Sequence, residues 1–426
     1  MERSSSASSD TAAPVPIRSG WAGTFHSLSY RNYRLLWVTS LMVSGGVWLQ
    51  QVTLGWLAYQ MTESALQVGG ILGVRSAPLI LAPITGVLVD RFDRRKLLMV
   101  AQVLVTTLVF GFSLLLFLGA ERVWHLYTFA LCFGLIWAVN NPVRQTLVAN
   151  SVPREALMNA TALSAVAFNS MRTIGPGIGG VLIVLVGPAL NFFIQGLLFL
   201  SVILLLIPYR AEYGTGNATA NRQTSAIRNL LEGFQYVLGH RPTLLVVMMS
   251  FVFTITLLGS IFNMLPVYVA EVLENDRGDA LGLLMTALGA GGVVGTILMA
   301  RFSQYRRKGI QALGSFIGAA ISVIVLAQVN TFWAAAAILA LYQVFSQGVM
   351  TTNMTMVQSM TPDHLRGRVI GLYQMEIGLM PIGGIITGAI ATQWGIATAF
   401  FVGGAFGLLV SILIAVFSPS VRRLHI

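Results

Sequence analysis

Three ionisable residues, Arg75, Arg172 and Glu376, stand inside long apolar runs. A charge at the centre of a membrane helix costs about 2.5–3.5 kcal/mol on insertion scales, so such groups face a partner or a water-filled cavity. At a rise of ~1.5 Å per residue, Arg172 lies roughly 20 Å, and Glu376 roughly 12 Å, from the nearer basic end of its run. Burial favours the neutral form of a carboxyl and a neighbouring arginine favours its anion. Glu376 opposite Arg172 or Arg75 could therefore exchange a proton or hold a cationic substrate; the plainer reading is a static buried ion pair. Trp48, Gln50, Gln51, Trp56, Trp137, Asn140, Asn141, Asn263, Gln343 and Gln347 add polar or aromatic groups to other apolar runs. Singly, each suits the packing of one helix on another. Together they suit a large, mostly apolar cavity with sparse polar anchors, fitted to amphiphilic compounds. Gly175-Pro176, with Gly179 and Gly180 following, predicts a kink and a candidate hinge, because proline removes a helix hydrogen bond and glycine permits bending. Pro381 is its counterpart in the second half.

Elements able to hold these groups are membrane-spanning helices. Hydrophobic residues make up 55% of the 426, charged residues only 10%, and mean hydropathy is +0.76. A water-soluble domain carries about 25% charged residues. Runs of about 20 apolar residues cross a bilayer, and twelve are expected: 33–59, 67–89, 97–119, 124–147, 160–186, 189–208, 243–269, 280–301, 310–328, 332–357, 369–392 and 396–417. With both termini in the cytoplasm, every one of the 26 Lys and Arg residues falls on the cytoplasmic side except Arg75, Arg122, Arg172 and Arg277. The opposite loops carry Glu63, Glu121, Glu271, Glu274, Asp276 and Asp279. That asymmetry is the positive-inside pattern. The net charge of +11 is thus a topology signal spread over short loops, and nucleic acid is not an expected partner.

The chain repeats itself. Gly86-Val-Leu-Val-Asp90-Arg91 with Arg94-Arg95-Lys96 has an echo in Gly295 to Lys308, which ends in Arg306-Arg307-Lys308. Thr146, Val148 and Pro153 recur 209 residues later as Thr355, Val357 and Pro362. Two similar halves follow, 33–208 and 243–417, joined by a cytoplasmic linker, 209–242. Ile227, Leu230, Leu231, Phe234, Val237 and Leu238 share one face of a helix in that linker, which suits the membrane interface better than a regulatory partner. Residues 1–32 form a polar cytoplasmic tail without the apolar core of a cleavable signal, and 418–426 a second tail. The lone Cys132 leaves no disulfide framework and no cysteine-ligated metal.

Gly86, Asp90, Arg91, Arg94, Arg95 and Lys96 resemble the signature loop of the major facilitator superfamily, a resemblance covering Tyr30 to Phe417. Asp93 replaces the glycine of the general pattern, yet Asp90-Arg-Phe-Asp-Arg-Arg95 is similar to the drug- and siderophore-exporter branch, with its macrolide and enterobactin exporters. Asn141-Pro142-Val143-Arg144-Gln145, Val152-Pro153-Arg154-Glu155 and Leu365-Arg366-Gly367-Arg368 point to the same branch. Gly175 to Gly180 is similar to the second half of the antiporter motif, while Met171 departs from its first half. The resemblance implies an all-α integral membrane fold: twelve helices in two pseudo-symmetric six-helix bundles around a central cavity. It also implies that Asp90 and Arg94 latch the two halves in one access state; the plainer role for that loop is as a topology determinant. Many proton-coupled members carry an arginine inside span 4, and none occurs between Trp124 and Pro142.

The expected function is secondary active, proton-coupled export of small amphiphilic compounds by a monomer in the cell membrane, working by alternating access. The alternatives are an uptake symporter or a lipid translocator of the same fold. An enzyme is not expected: there is no His-Glu-x-x-His, no Gly-x-Ser-x-Gly and no Gly-Lys-Ser/Thr phosphate loop. No cofactor or metal is expected either, and the partners are a small-molecule substrate, protons and the bilayer.

Overall fold

The computed structural model describes residues 25–81, 85, 92–209, 226–275, 278–302, 304–305 and 307–422. Ten helices among them are long and apolar enough to cross a bilayer. In hydrocarbon a spanning helix satisfies all of its own backbone groups, which is why these runs fold this way. We number them α1 (Arg31–Thr62), α2 (Ala65–Ser76, continued as a 3-10 segment Ala77–Leu81), α3 (Arg94–Phe117) and α4 (Val123–Ala149). Leu157–Leu206 is one helix of 50 residues, about twice what a crossing needs, and is broken at Gly187 (φ 76°, ψ 169°). We treat it as α5 (157–186) and α6 (188–206). The second half comprises α7 (Arg241–Glu271), α8 (Gly278–Arg301), α9 (Lys308–Leu326), α10 (Phe332–Met360), α11 (Asp363–Trp394) and α12 (Ile396–Phe417). A count of twelve crossings thus takes Leu157–Leu206 as two and includes the shorter Ala65–Leu81.

The repeat is visible in the backbone. Gly187, between α5 and α6, and Gly395 (φ 82°, ψ 158°), between α11 and α12, adopt nearly the same left-handed conformation, which only glycine takes without strain. Glu63, after α1, and Glu274, after α7, both have φ of 47°.

Within the first six helices, α1 packs along α5 and α6, α3 along the same long helix, and α2 against α4. In the second six, α10 packs on α8 and α9, α12 on α9 and α11, and α7 on α11. The halves meet along two seams, α5 with α8 and α2 with α11. Both seams are lined by glycines at the end of the bundle that carries Glu63, Gly187 and Gly395. A methyl group on Gly180 would come within 2.8 Å of the Gly278 carbonyl oxygen, and one on Gly69 within 2.4 Å of the Gly384 carbonyl oxygen. Close backbone approach of this kind is what small residues allow in lipid.

Helical dihedrals run through Gly175 and Pro176, and the non-helical residue of this long helix is Gly187, between the expected spans 5 and 6. Gly175 and Gly179 lie against Trp48 and Leu49 of α1, while Gly177 and Gly180 lie against Thr286, Gly278 and Gly282 of α8. Pro381 does mark an irregularity, because it opens the last part of α11 after a 3-10 segment, Met375–Leu379.

In the linker, Ala226–Gly239 forms a helix against the start of α11. Val237 is buried there, the Tyr236 hydroxyl donates to the Met360 carbonyl at 2.7 Å, and Glu232 pairs with Arg368. Leu231, Phe234 and Leu238 point outward, so the expected apolar face divides: Val237 faces the protein and these three face the surroundings.

Candidate functional site

Arg75 sits one residue before the end of regular α2. Its Nε donates to Gln50 Oε1 at 2.8 Å and its Nη1 to Gln51 Oε1 at 2.5 Å, both on α1. The guanidinium carbon lies 5.1 Å from the centroid of Phe133 on α4. All these partners are neutral. Gln50 is fully buried and its Nε2 finds no partner among the described residues.

Arg172, on α5, is held differently. Its guanidinium carbon is 5.9 Å from the Trp48 ring on α1 and 5.8 Å from the Phe262 ring on α7, so it bridges aromatic faces from both halves. Buried Tyr342 on α10 lies close enough for the two to interact electrostatically. No hydrogen bond or ion pair to Arg172 is present among the described residues. Gln343, the next residue on α10, is fully buried, and neither its Oε1 nor its Nε2 is paired among them.

Glu376 lies within the 3-10 segment of α11 and is 4% exposed. Sequence reasoning offered Arg172 or Arg75 as its partner; neither pairs with it. The side chain that meets its carboxyl is Tyr373, one turn earlier. Ser250 on α7 donates to the Tyr373 hydroxyl at 3.3 Å and accepts from Asn353 Nδ2 on α10 at 2.7 Å. A polar chain therefore crosses three helices from a carboxyl to an amide.

Backbone irregularity converges here. The 3-10 segment of α11 touches that of α2: a methyl group on Gly378 would stand 2.8 Å from the Ile80 nitrogen. A π-helical stretch, Thr254–Leu258, interrupts α7 beside it, and Gly383 packs on its Ile255 carbonyl. Departures from α geometry inside a helix often accompany function. Asn263 supports the junction by donating to the Met380 carbonyl at 3.2 Å, so it stitches α7 to α11. Sequence reasoning did not find these segments, although Pro78, Pro381 and the surrounding glycines were the available signal.

Arg144, near the end of the expected span 4, is buried by the protein: α4 runs to Ala149 and leaves the side chain 8% exposed. Arg144 Nε donates to Asn140 Oδ1 at 2.9 Å, and its Nη1 reaches Thr39 at 3.2 Å and Ser40 at 3.4 Å. Asn140 Nδ2 in turn donates to Gln102 Oε1 at 2.8 Å. So α4 does carry a buried arginine, and Asn140 serves it. Asn141, one position on, is exposed.

Of the signature loop, Gly86, Asp90 and Arg91 lie outside the described residues. Asp93 caps α3, its Oδ1 accepting from the Lys96 amide at 2.8 Å, which gives the departure from glycine a local purpose. Arg95 donates to the Ile207 carbonyl at 2.6 Å, placing a cation on the carbonyl end of α6. In the echo, Lys308 Nζ donates to the Phe302 carbonyl at 3.2 Å.

A bundle of apolar spanning helices in two packed halves, with buried charges between them, is the architecture of a polytopic membrane protein. Residues 22–423 match the family described as transmembrane secretion effector, and the chain belongs to that family, within the major facilitator superfamily. It is similar to a staphyloferrin A transporter of Staphylococcus aureus, with 23% identity over 86% of this chain and 91% of that one. The multidrug efflux pump Tap of Mycolicibacterium fortuitum is 26% identical over 92% and 97%. The enterobactin exporter EntS of Escherichia coli is 26% identical over 85% and 86%. Among solved structures, a POT family transporter superposes with a TM-score of 0.75 at 12% identity, covering 94% of this chain and all of that one. The nucleoside transporter NupG does so with a TM-score of 0.71, also at 12% identity, over 91% and 99%. These likenesses establish the fold, and the family makes the protein a transporter rather than an enzyme.

Proposed function

We propose that the protein is a proton-coupled exporter of small amphiphilic compounds that works by alternating access as a monomer in the cell membrane, with both termini in the cytoplasm. The segments 33–208 and 243–417 are the two moving bundles, and 209–242 tethers them. The observation that carries the reading is Glu376: it is the one carboxyl buried in the interior among the described residues, and it sits where broken backbone from both halves meets. Facing it are Tyr373 on its own helix, Ser250 on α7, and the α2 segment whose charged residue, Arg75, is engaged by Gln50 and Gln51. A neutral carboxyl and an anion in that position interact differently with the opposing half, which links proton binding to the arrangement of the bundles. Export rather than uptake or lipid movement is supported by the relatives, whose names include an exporter and an efflux pump.

The deciding experiment uses purified protein in liposomes with an imposed pH gradient and a pH-sensitive dye inside. Substrate addition should discharge the gradient with wild-type protein and fail to do so with Glu376→Gln. Equal proton movement in both would refute the role of Glu376. Substrate transport with no proton movement in either would refute the coupling.

A further inference from the structure

Among the described residues, Arg75, Arg144 and Arg172 stand inside the bundle with one buried carboxyl, Glu376, and no ion pair joins them. Arg75 bonds to the neutral groups Gln50 and Gln51, and Arg144 to Asn140, Thr39 and Ser40, although Arg144 Nη2 is buried with no partner among the described residues. Arg172 has no such partners among the described residues and rests between Trp48 and Phe262. The Trp48 indole Nε1 is buried beside it, again unpaired among those residues. Guanidinium and indole N–H groups are donors only. A buried donor without an acceptor, as the Trp48 indole N–H is, is costly; Arg172 is partly exposed, and the aromatic faces hold the cation while leaving its N–H edge free to bond elsewhere. What this arrangement lacks is an acceptor that carries negative charge.

We infer that Arg172 and the Trp48 indole N–H form a subsite for the anionic group of the transported compound, with Trp48 and Phe262 flanking its apolar part. The substrate class is an amphiphilic organic anion, such as an aromatic carboxylate. The subsite joins the halves, because Trp48 and Arg172 come from α1 and α5 while Phe262 and Tyr342 come from α7 and α10. An anion seated there meets both bundles at once, as a compound carried by their relative motion must. A cationic amphiphile would meet Arg172 as a like charge.

This deepens the export reading and rests on it, but binding and transport are tested separately. The probes are 1-naphthylacetate, its methyl ester and 1-naphthylethylamine, which share an aromatic body and differ in charge. Their binding to the full-length protein in lipid nanodiscs is measured by calorimetry and by tryptophan fluorescence. The carboxylate should bind at least about tenfold more tightly than the ester or the amine, the size expected from one charge-assisted hydrogen-bonded pair. Arg172→Gln should abolish that preference while leaving ester binding unchanged, and Trp48→Phe should weaken carboxylate binding alone. If Arg172→Gln does not fold, Arg172→Lys serves: it keeps the charge but loses the planar fork, and should cut carboxylate affinity about fivefold without changing the ester. Equal binding of the three probes, tighter binding of the amine, no carboxylate binding, or an unchanged preference in the Arg172 variants would overturn the subsite. Export of cationic amphiphiles in liposomes with no carboxylate preference would refute this inference and leave export standing. Carboxylate binding without transport would do the reverse.

Discussion

The two seams between the halves are built on opposite plans. Along α5 and α8 the helices are regular and approach through Gly177, Gly180, Gly278, Gly282 and Gly289, with Thr173 and Thr286 filling between. Along α2 and α11 the glycines Gly69, Gly73, Gly384 and Gly388 do the same work at one end, but then both helices lapse into 3-10 geometry, and Glu376 lies within the break. One seam is close backbone packing through glycine and threonine. The other combines close packing with a carboxyl and less regular backbone. The division suggests that the first seam fixes how near the halves can come and the second reads protonation.

The difference can be tested by substitution, beginning where the effect should be greatest. Gly180→Val puts side-chain carbon into the Gly278 carbonyl and the Gly282 backbone. Overpacking of this kind costs about 1–3 kcal/mol, and transport should fall to background in liposome assays. If Gly180→Val transports normally, the α5–α8 contact is not part of the working cycle. Glu376→Gln should act in the opposite manner, removing the pH dependence of transport while thermal unfolding in detergent stays within about 1 kcal/mol, since the amide is nearly isosteric. A large loss of stability with pH dependence intact would exchange the roles assigned to the seams.

The two arginines sharpen the contrast at smaller amplitude. Arg75→Gln strands Gln50 and Gln51 in the interior, and leaving buried groups unpaired costs about 1–3 kcal/mol each. Arg172→Gln breaks no hydrogen bond among the described residues and should cost less, about 0.5–2 kcal/mol of cation–π contact. Parallel thermal unfolding curves decide whether Arg75 is the structural residue of the pair. Smallest of all is Glu232→Ala in the linker, whose partly exposed pair with Arg368 is worth about 0–1 kcal/mol. Transport by that variant should be nearly normal.

The positions of the helices were legible because the bilayer imposes a length and a hydropathy that the chain must meet locally. The doubled Gly86 and Gly295 turns pointed to two halves, and Gly187 and Gly395 repeat that symmetry in backbone angles. Side-chain partnership was not legible. Arg144 counted in the sequence only as a topology charge near the end of span 4, yet Asn140, Thr39 and Ser40 bond it inside the protein. Glu376 was expected opposite an arginine, since opposite charges in lipid attract. The arginines instead found glutamines and aromatic rings, choices set by helix rotation and tilt rather than by spacing along the chain. The 3-10 and π segments escaped for the same reason: prolines and glycines permit them, but packing decides where they form.

Distance measurement across the glycine-sealed end tests the motion itself. Spin labels at Glu63→Cys and Thr392→Cys, in protein whose Cys132 is replaced by serine, sit on opposite halves beside the α2–α11 seam. The separation should be short and narrowly distributed in the resting protein, and should lengthen as pH or substrate shifts the bundles, with Glu376→Gln abolishing the pH response. A distance that stays fixed under every condition, in protein that still transports, would contradict alternating movement of the two halves.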